Sequence, residues 1–303
     1  MSASTARRPR PKRPASRLAG FKVGNSAAEK LRSLLSPDYR RRAEIIKNRC
    51  EEGSGDPFGL DFEFAENILL ITGFAYRYWF RVEMKGLERI PAGGAILVAN
   101  HSGQFPIDGV MIGTGLVLDM PEPRLVRSMF DRWAAGLPWV SVFFQRVGQV
   151  VGHPENVDLL LSRGELILVF PEGMRGIQKP YTKAYQLDDF GLGFMRLALK
   201  HRCPVVPLAI VGAEEQYPAL WDFKTLAKVL GVPHAPIPLQ VMLPMMGLVP
   251  LPSKYHIEVG DPMTFEGDPD DEDQVVSEKV WMVRHTIQRM LQRMLEERKH
   301  VFW

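Results

Sequence analysis

The sequence predicts an α/β fold: a central, mostly parallel or mixed sheet flanked by helices and preceded by an N-terminal helical arm. Two observations carry this expectation. Short runs that are apolar at nearly every position, Ala95–Ala99, residues 166–170 and Val205–Val211, alternate with amphipathic stretches long enough for helices. Strands without polar alternation are covered on both faces, so helices must flank the sheet. Before residue 82 the chain shows helical periodicity and no such runs. The organisation that follows is a disordered basic tail over 1–25, a helical arm over 26–81 and an α/β domain over 82–303.

The arm opens at Ser26, Ala27, Ala28 and Glu29, which have capping-box form, with Leu31, Leu34 and Leu35 following at helical spacing. Ser36 and Pro37 open a second, basic helix, and Asp56, Pro57, Phe58 and Gly59 form a break. Phe62, Ala65, Ile68, Leu69, Thr72, Ala75 and Trp79 then fall on one helical face. This apolar stretch is interrupted by Glu63, Glu66, Asn67 and Arg77 and falls short of the roughly 20 apolar residues of a membrane span, so no transmembrane helix is expected. Beyond the apolar strands, residues 235–252 mix five prolines with Met, Leu and Val and fit neither helix nor strand periodicity. A strand over 255–259 and an amphipathic helix carrying Val276, Val280, Val283, Ile287, Met290, Leu291 and Met294 close the chain.

With 303 residues and 46% apolar content the chain can bury a sizeable core. Residues 1–50 hold 14 Lys/Arg against 3 Asp/Glu, a local +11 that leaves −8 for the rest of a chain of net charge +3. Such a cluster seeks a polyanion, either nucleic acid or an anionic membrane face. The tail lacks the interleaved aromatics of a nucleic-acid binder, and the remainder is acidic, so no nucleic-acid partner is expected. Two cysteines, Cys50 and Cys203, are too few for a disulfide framework and have no metal-ligand partners at useful spacing. Both are expected to be unreactive thiols in a reducing compartment.

Two stretches can carry chemistry. Asn100 and His101 stand where the apolar strand Ala95–Ala99 ends, the edge of an open α/β sheet at which ligands bind. Pro106 can start a helix bearing Asp108, leaving a loop that lets His101 and Asp108 meet. A carboxylate on one imidazole nitrogen fixes the tautomer and frees the other nitrogen to accept a proton. Taken alone, the pair is explained as well by ordinary polar residues at a strand end and a helix start. The second stretch, Phe170, Pro171, Glu172, Gly173, Met174, Arg175 and Gly176, also follows an apolar strand. There Gly173 allows close backbone approach, Arg175 offers a planar fork suited to phosphate, and Glu172 can orient it. Lys179, Lys183 and Arg196 add further cations nearby or a solvated rim. No G-x-S-x-G elbow is present to support a serine nucleophile, and Cys203 precedes Pro204 at a strand start.

Together these stretches resemble the glycerolipid acyltransferase family, which includes bacterial 1-acylglycerol-3-phosphate acyltransferases. The resemblance spans four blocks over residues 82–260: Asn100 to Asp108; Phe143, Phe144, Gln145, Arg146, Val147 and Gly148; Phe170 to Gly176; and Val206, Pro207, Leu208, Ala209, Ile210, Val211 and Gly212. It implies that His101 is the general base, Asp108 its partner, that Arg146, Glu172, Gly173 and Arg175, with Lys183, hold the acceptor, and that Pro207 shapes the site. The family's usual spacing is His-x4-Asp, whereas six residues separate His101 from Asp108, which marks a divergent branch.

The resemblance further implies direct acyl transfer from a thioester to a lipid hydroxyl without a covalent intermediate. Neither metal nor cofactor is called for, and acyl-CoA or acyl carrier protein serves as co-substrate. The acceptor expected first is 1-acylglycerol-3-phosphate or another lysophospholipid, with a neutral alcohol or diacylglycerol, or a non-catalytic lipid-binding scaffold, as alternatives. A lipid acceptor requires a membrane surface as partner. A peripheral location on the cytoplasmic face is therefore expected, through the basic residues before Cys50, the aromatic helix bearing Phe74, Tyr76, Tyr78, Trp79 and Phe80, or the proline-punctuated segment.

Overall fold

The computed structural model describes residues 25–51, 56–102, 105–130, 136, 139–177, 179–222, 236–238 and 249–303. The expected disordered tail, apart from Asn25, lies outside the described residues, as does most of the proline-punctuated segment. The helices are α1 (Asn25–Leu35), α2 (Tyr39–Glu51), α3 (Phe62–Phe74), α4 (Ile107–Leu118), α5 (Val140–Arg146), α6 (Pro154–Ser162), α7 (Met174–Ile177), α8 (Gly193–His201) and α9 (Asp273–Glu297). The strands are β1 (Glu83–Lys85), β2 (Ala95–Ala99), β3 (Val126–Phe130), β4 (Val150–Val151), β5 (Leu166–Val169), β6 (Val205–Val211), β7 (Ala219–Asp222), β8 (Pro236–Pro238) and β9 (His256–Val259).

Seven strands form one mixed sheet in the order β1-β9-β6-β2-β5-β3-β4, and β7 and β8 pair separately. From β6 through β4 all neighbours are parallel, whereas β9 runs antiparallel to β6 and carries β1 with it. The uninterrupted apolar strands have the predicted cause. Ala95, Leu97 and Ala99 face one core with Leu168 and Leu208, while Ile96 and Val98 face a second core with Ile167 and Ala209. The first is closed by the N-terminal arm and α4, through Leu35, Leu70, Ile112 and Leu116; the second by α6, α8 and α9, through Leu160, Met195 and Val283. Burying each such aliphatic side chain contributes about 1.5–3 kcal/mol, which makes β2, at the centre of the sheet, a rigid platform.

The arm departs from expectation in two places. Helix α1 already includes Asn25 and Ser26, so Ser26 is not the cap of a capping box. Glu29 instead receives Arg32 at 3.4 Å and also Arg40 from the following helix. In α3 the core-facing residues are Leu70 and Gly73, continued by Tyr76 and Phe80 through a π-helical turn at Ala75–Trp79; Trp79, grouped by periodicity with one apolar face of the helix, is exposed. A helix apolar on nearly every side gives periodicity little to discriminate. Gly73 decides the inner face, because a Cβ there would lie 2.7 Å from Leu35 Cδ1. Among the described residues no helix is long and apolar enough to cross a membrane.

Candidate active site

The site forms at the carboxyl ends of β2 and β5, where the strand sequence has just left the sheet. Asn100 continues β2 by imitation of a peptide: its side-chain carbonyl accepts from the Ile210 N–H at 2.8 Å, and its amide donates to the Ile210 carbonyl at 3.1 Å. The ladder between β2 and β6 is thereby extended past Ala99 and holds the next residue, His101, in place. Nothing in the sequence flagged this role except that an asparagine precedes the histidine.

His101 Nδ1 lies 2.6 Å from Asp108 Oδ2. Asp108 is fully buried in the first turn of α4, where the helix N-terminus favours a carboxylate. The same Oδ2 accepts from the Ser102 N–H at 3.0 Å, and Oδ1 accepts from the Gly109 N–H at 2.7 Å. With six residues between them, His101 and Asp108 still meet, and the carboxylate also holds the Ser102 backbone. On one side the His101 ring stacks on Phe170, with centroids 4.2 Å apart. The His101 side chain is only 8% exposed.

The loop after β5 presses against the histidine backbone. Gly173 takes a positive φ of 58°, which the turn from Phe170 to Gly176 uses to reverse the chain. Gly176 then packs so closely that a Cβ would lie 2.9 Å from the His101 carbonyl oxygen and 3.0 Å from His101 Cβ. Glu172 is buried; its Oε1 accepts from the His101 N–H at 3.1 Å, and its Oε2 accepts from Lys179 Nζ and the Asp188 N–H, each at 2.9 Å.

The other residues named from sequence are placed differently. Arg146, at the end of α5, donates to Asp61 at 2.8 Å and lies over the Phe64 ring at 3.9 Å. Asp61 is at once the cap of α3, so this arginine locks α5 to α3. Arg175 is exposed on α7 and donates to the Asp189 carbonyl at 2.9 Å. Lys183 is exposed on the short turn Tyr181–Lys183. Arg196 bonds the Asp271 carbonyl at 3.0 Å and Asp273 at 2.6 Å, fastening the start of α9. Pro207 sits within β6, in register with Val98. Burial pushes the Cys203 thiol up to about 11, in keeping with an inert thiol. Of the residues named from sequence, the fold thus joins His101, Asp108, Glu172 and Lys179 into one hydrogen-bonded unit, Glu172 through the His101 backbone.

The acyltransferase family profile matches residues 81–211, which include His101, Asp108, Arg146, Glu172, Gly173 and Arg175. An uncharacterized protein of Mycobacterium leprae is 39% identical over 255 residues, 82% of this chain and 70% of its own length. This chain belongs to the glycerolipid acyltransferase family. A chicken (Gallus gallus) protein described as a DGAT1/2-independent enzyme synthesizing storage lipids is 27% identical over 235 residues, 77% of this chain and 65% of its own length. In fold, this acyltransferase is similar to the 1-acyl-sn-glycerophosphate acyltransferase PlsC of Thermotoga maritima. The TM-score is 0.51 at 17% identity, covering 91% of this chain and 98% of that one.

The contact at Gly176 gives a direct test of how tightly the histidine is held. Gly176→Ala should leave the melting temperature within a few degrees while slowing acyl transfer by about 10–100-fold, since displacements near 1 Å cost on that order. Thioester consumption by the two proteins measures this, and an undiminished rate in the variant would show that the Gly176 contact does not position His101.

Proposed function

We propose that this acyltransferase moves a fatty acyl group from a thioester, acyl-CoA or acyl carrier protein, to a lipid hydroxyl, with His101 as general base and no covalent enzyme intermediate. The observation that carries the reading is the buried 2.6 Å contact between His101 Nδ1 and Asp108. With Asp108 accepting from Nδ1–H, Nε2 is left as the basic nitrogen. The acceptor hydroxyl gives its proton to Nε2 as its oxygen bonds to the thioester carbonyl carbon. The tetrahedral intermediate then expels the thiolate, the C–S bond breaks, and the imidazolium returns the proton to sulfur. Base catalysis of this kind contributes about 10²–10⁴ in rate.

The acceptor that the family resemblance favours is 1-acylglycerol-3-phosphate or another lysophospholipid, held through Arg146, Arg175 and Lys183. A second reading, a neutral acceptor such as diacylglycerol, has its own support. Arg146 is spent on Asp61, Lys179 on Glu172, and Arg175 on a backbone carbonyl, so these cations are engaged within the protein. The likeness to the storage-lipid enzyme points the same way. Thioester consumption across lysophosphatidate, other lysolipids, glycerol 3-phosphate and diacylglycerol, with wild type and His101→Ala, decides both questions. The variant should lose at least about 100-fold with the preferred acceptor. Equal activity of the two proteins would defeat the base assignment.

A lipid acceptor places the enzyme at a membrane, and we assign it a peripheral position on the cytoplasmic face. Ile71, Phe74, Tyr78 and Trp79 are exposed together on α3 and the turn that follows. Trp79 donates to the Pro250 carbonyl at 3.1 Å, so the aromatic turn adjoins the end of the proline-punctuated segment. Arg40 and Arg41 of α2 have side chains 75% and 70% exposed and add attraction of about 1 kcal/mol each near anionic lipid. The full chain should float with vesicles containing phosphatidylserine, and Arg40→Glu with Arg41→Glu should weaken that binding; unchanged flotation would remove the electrostatic contribution of α2.

A further inference from the structure

Glu172 and Lys179 occupy positions where a phosphate-holding role is the obvious reading, yet the chemistry around them is closed. The Glu172 side chain is 0% exposed and Lys179 is 5% exposed. Each oxygen of Glu172 is in use: Oε1 for the His101 N–H at 3.1 Å, Oε2 for Lys179 Nζ and the Asp188 N–H at 2.9 Å. Lys179 Nζ in turn donates to the Gln186 carbonyl at 3.0 Å and stands 4.0 Å from Glu214 Oε1. Two buried carboxylates flank one ammonium. Burial pushes the Glu214 carboxyl up to about 8, and of the two it is Glu172 that lies within hydrogen-bond distance of Lys179 Nζ. A ligand reaching Glu172 would have to displace a buried ion pair and a backbone bond to the proposed base.

We propose that Glu172 and Lys179 are a positioning pair for His101 and do not hold the acceptor: Lys179 fixes the Glu172 carboxylate, which grips the His101 backbone amide and ties it to the segment Gln186, Leu187 and Asp188. Asp108 sets the ring from the side chain, and Glu172 sets the residue from the backbone. Two carboxylates thus act on one histidine from opposite ends, and the FPEG turn serves the base on the neighbouring strand. This inference rests on the assignment of His101 as general base.

The test compares wild type with K179M, K179R, E172Q, H101A and the double variant H101A/K179M. The assay uses oleoyl-CoA and vesicles carrying lysophosphatidate or dioleoylglycerol, whichever wild type converts faster. For K179M and E172Q, kcat should fall about 10–100-fold with both KM values within about twofold, the range expected for a displaced catalytic group. K179R, which keeps the charge, should recover part of the loss. In the H101A background K179M should cost nothing further, because there is no base left to position. An acceptor KM raised tenfold with kcat kept would overturn the proposal in favour of acceptor binding. An unchanged kcat in K179M, or an equal further loss on H101A, would overturn it as well. Should K179M not fold, K179R and E172Q carry the same split of kcat against KM. If H101A matches wild type, the base assignment fails instead, which is a separate outcome from retained kcat in K179M beside an inactive H101A.

Discussion

The fully buried carboxylate of Asp108 is the constraint around which the rest of the site is arranged. An ionised group without water must be matched by donors, and breaking such a match costs about 3–5 kcal/mol. The protein supplies the His101 ring, the Ser102 and Gly109 N–H groups and the N-terminal end of α4. Each of these fixes something useful. The ring contact selects a tautomer, the Ser102 bond closes the loop, and the helix end anchors the whole against the first core. The six-residue separation of His101 and Asp108 is compatible with their contact, and the Ser102 and Gly109 N–H groups meet the same carboxylate.

That arrangement works only if the strand end beneath it does not move. β2 is buried on both faces, and the Asn100 amide prolongs its pairing with β6 beyond the last regular bridge. From the other side the β5 loop closes on His101 through Glu172, Gly176 and the stacked Phe170. The parallel order of β6, β2 and β5 places both sequence motifs on one edge, so residues about 70 positions apart in the chain meet within hydrogen-bond distance.

Much of this was legible in the sequence because it depends on local pattern. Continuous apolar runs named β2, β5 and β6, and the candidate site was drawn from residues directly after β2 and β5. What could not be read depended on distant partners or on ambiguous periodicity. The pairing of Arg146 with Asp61, 85 positions earlier, leaves no local trace in the sequence. Lys179 and Glu172 carry no mark in the sequence that they meet each other and, through Glu172, the His101 backbone amide. Which face of α3 turns inward could not be read because its apolar residues surround the helix, and Gly73, which packs against Leu35, has no side chain to enter a hydrophobic pattern. The readings for residues 1–24 and for most of 235–252 fall outside the described residues.

The central claim is that Asp108 holds His101 as the Nδ1–H tautomer with Nε2 bare and basic. Long-range ¹⁵N–¹H correlation spectra of the histidine-labelled protein, assigned by comparison with His101→Ala, report that state without needing a substrate. The account predicts, for neutral His101, a protonated Nδ1 and an unprotonated Nε2, and loss of that pattern in Asp108→Ala. A His101 protonated at Nε2 in the wild type, or a pattern indifferent to the loss of Asp108, would contradict it.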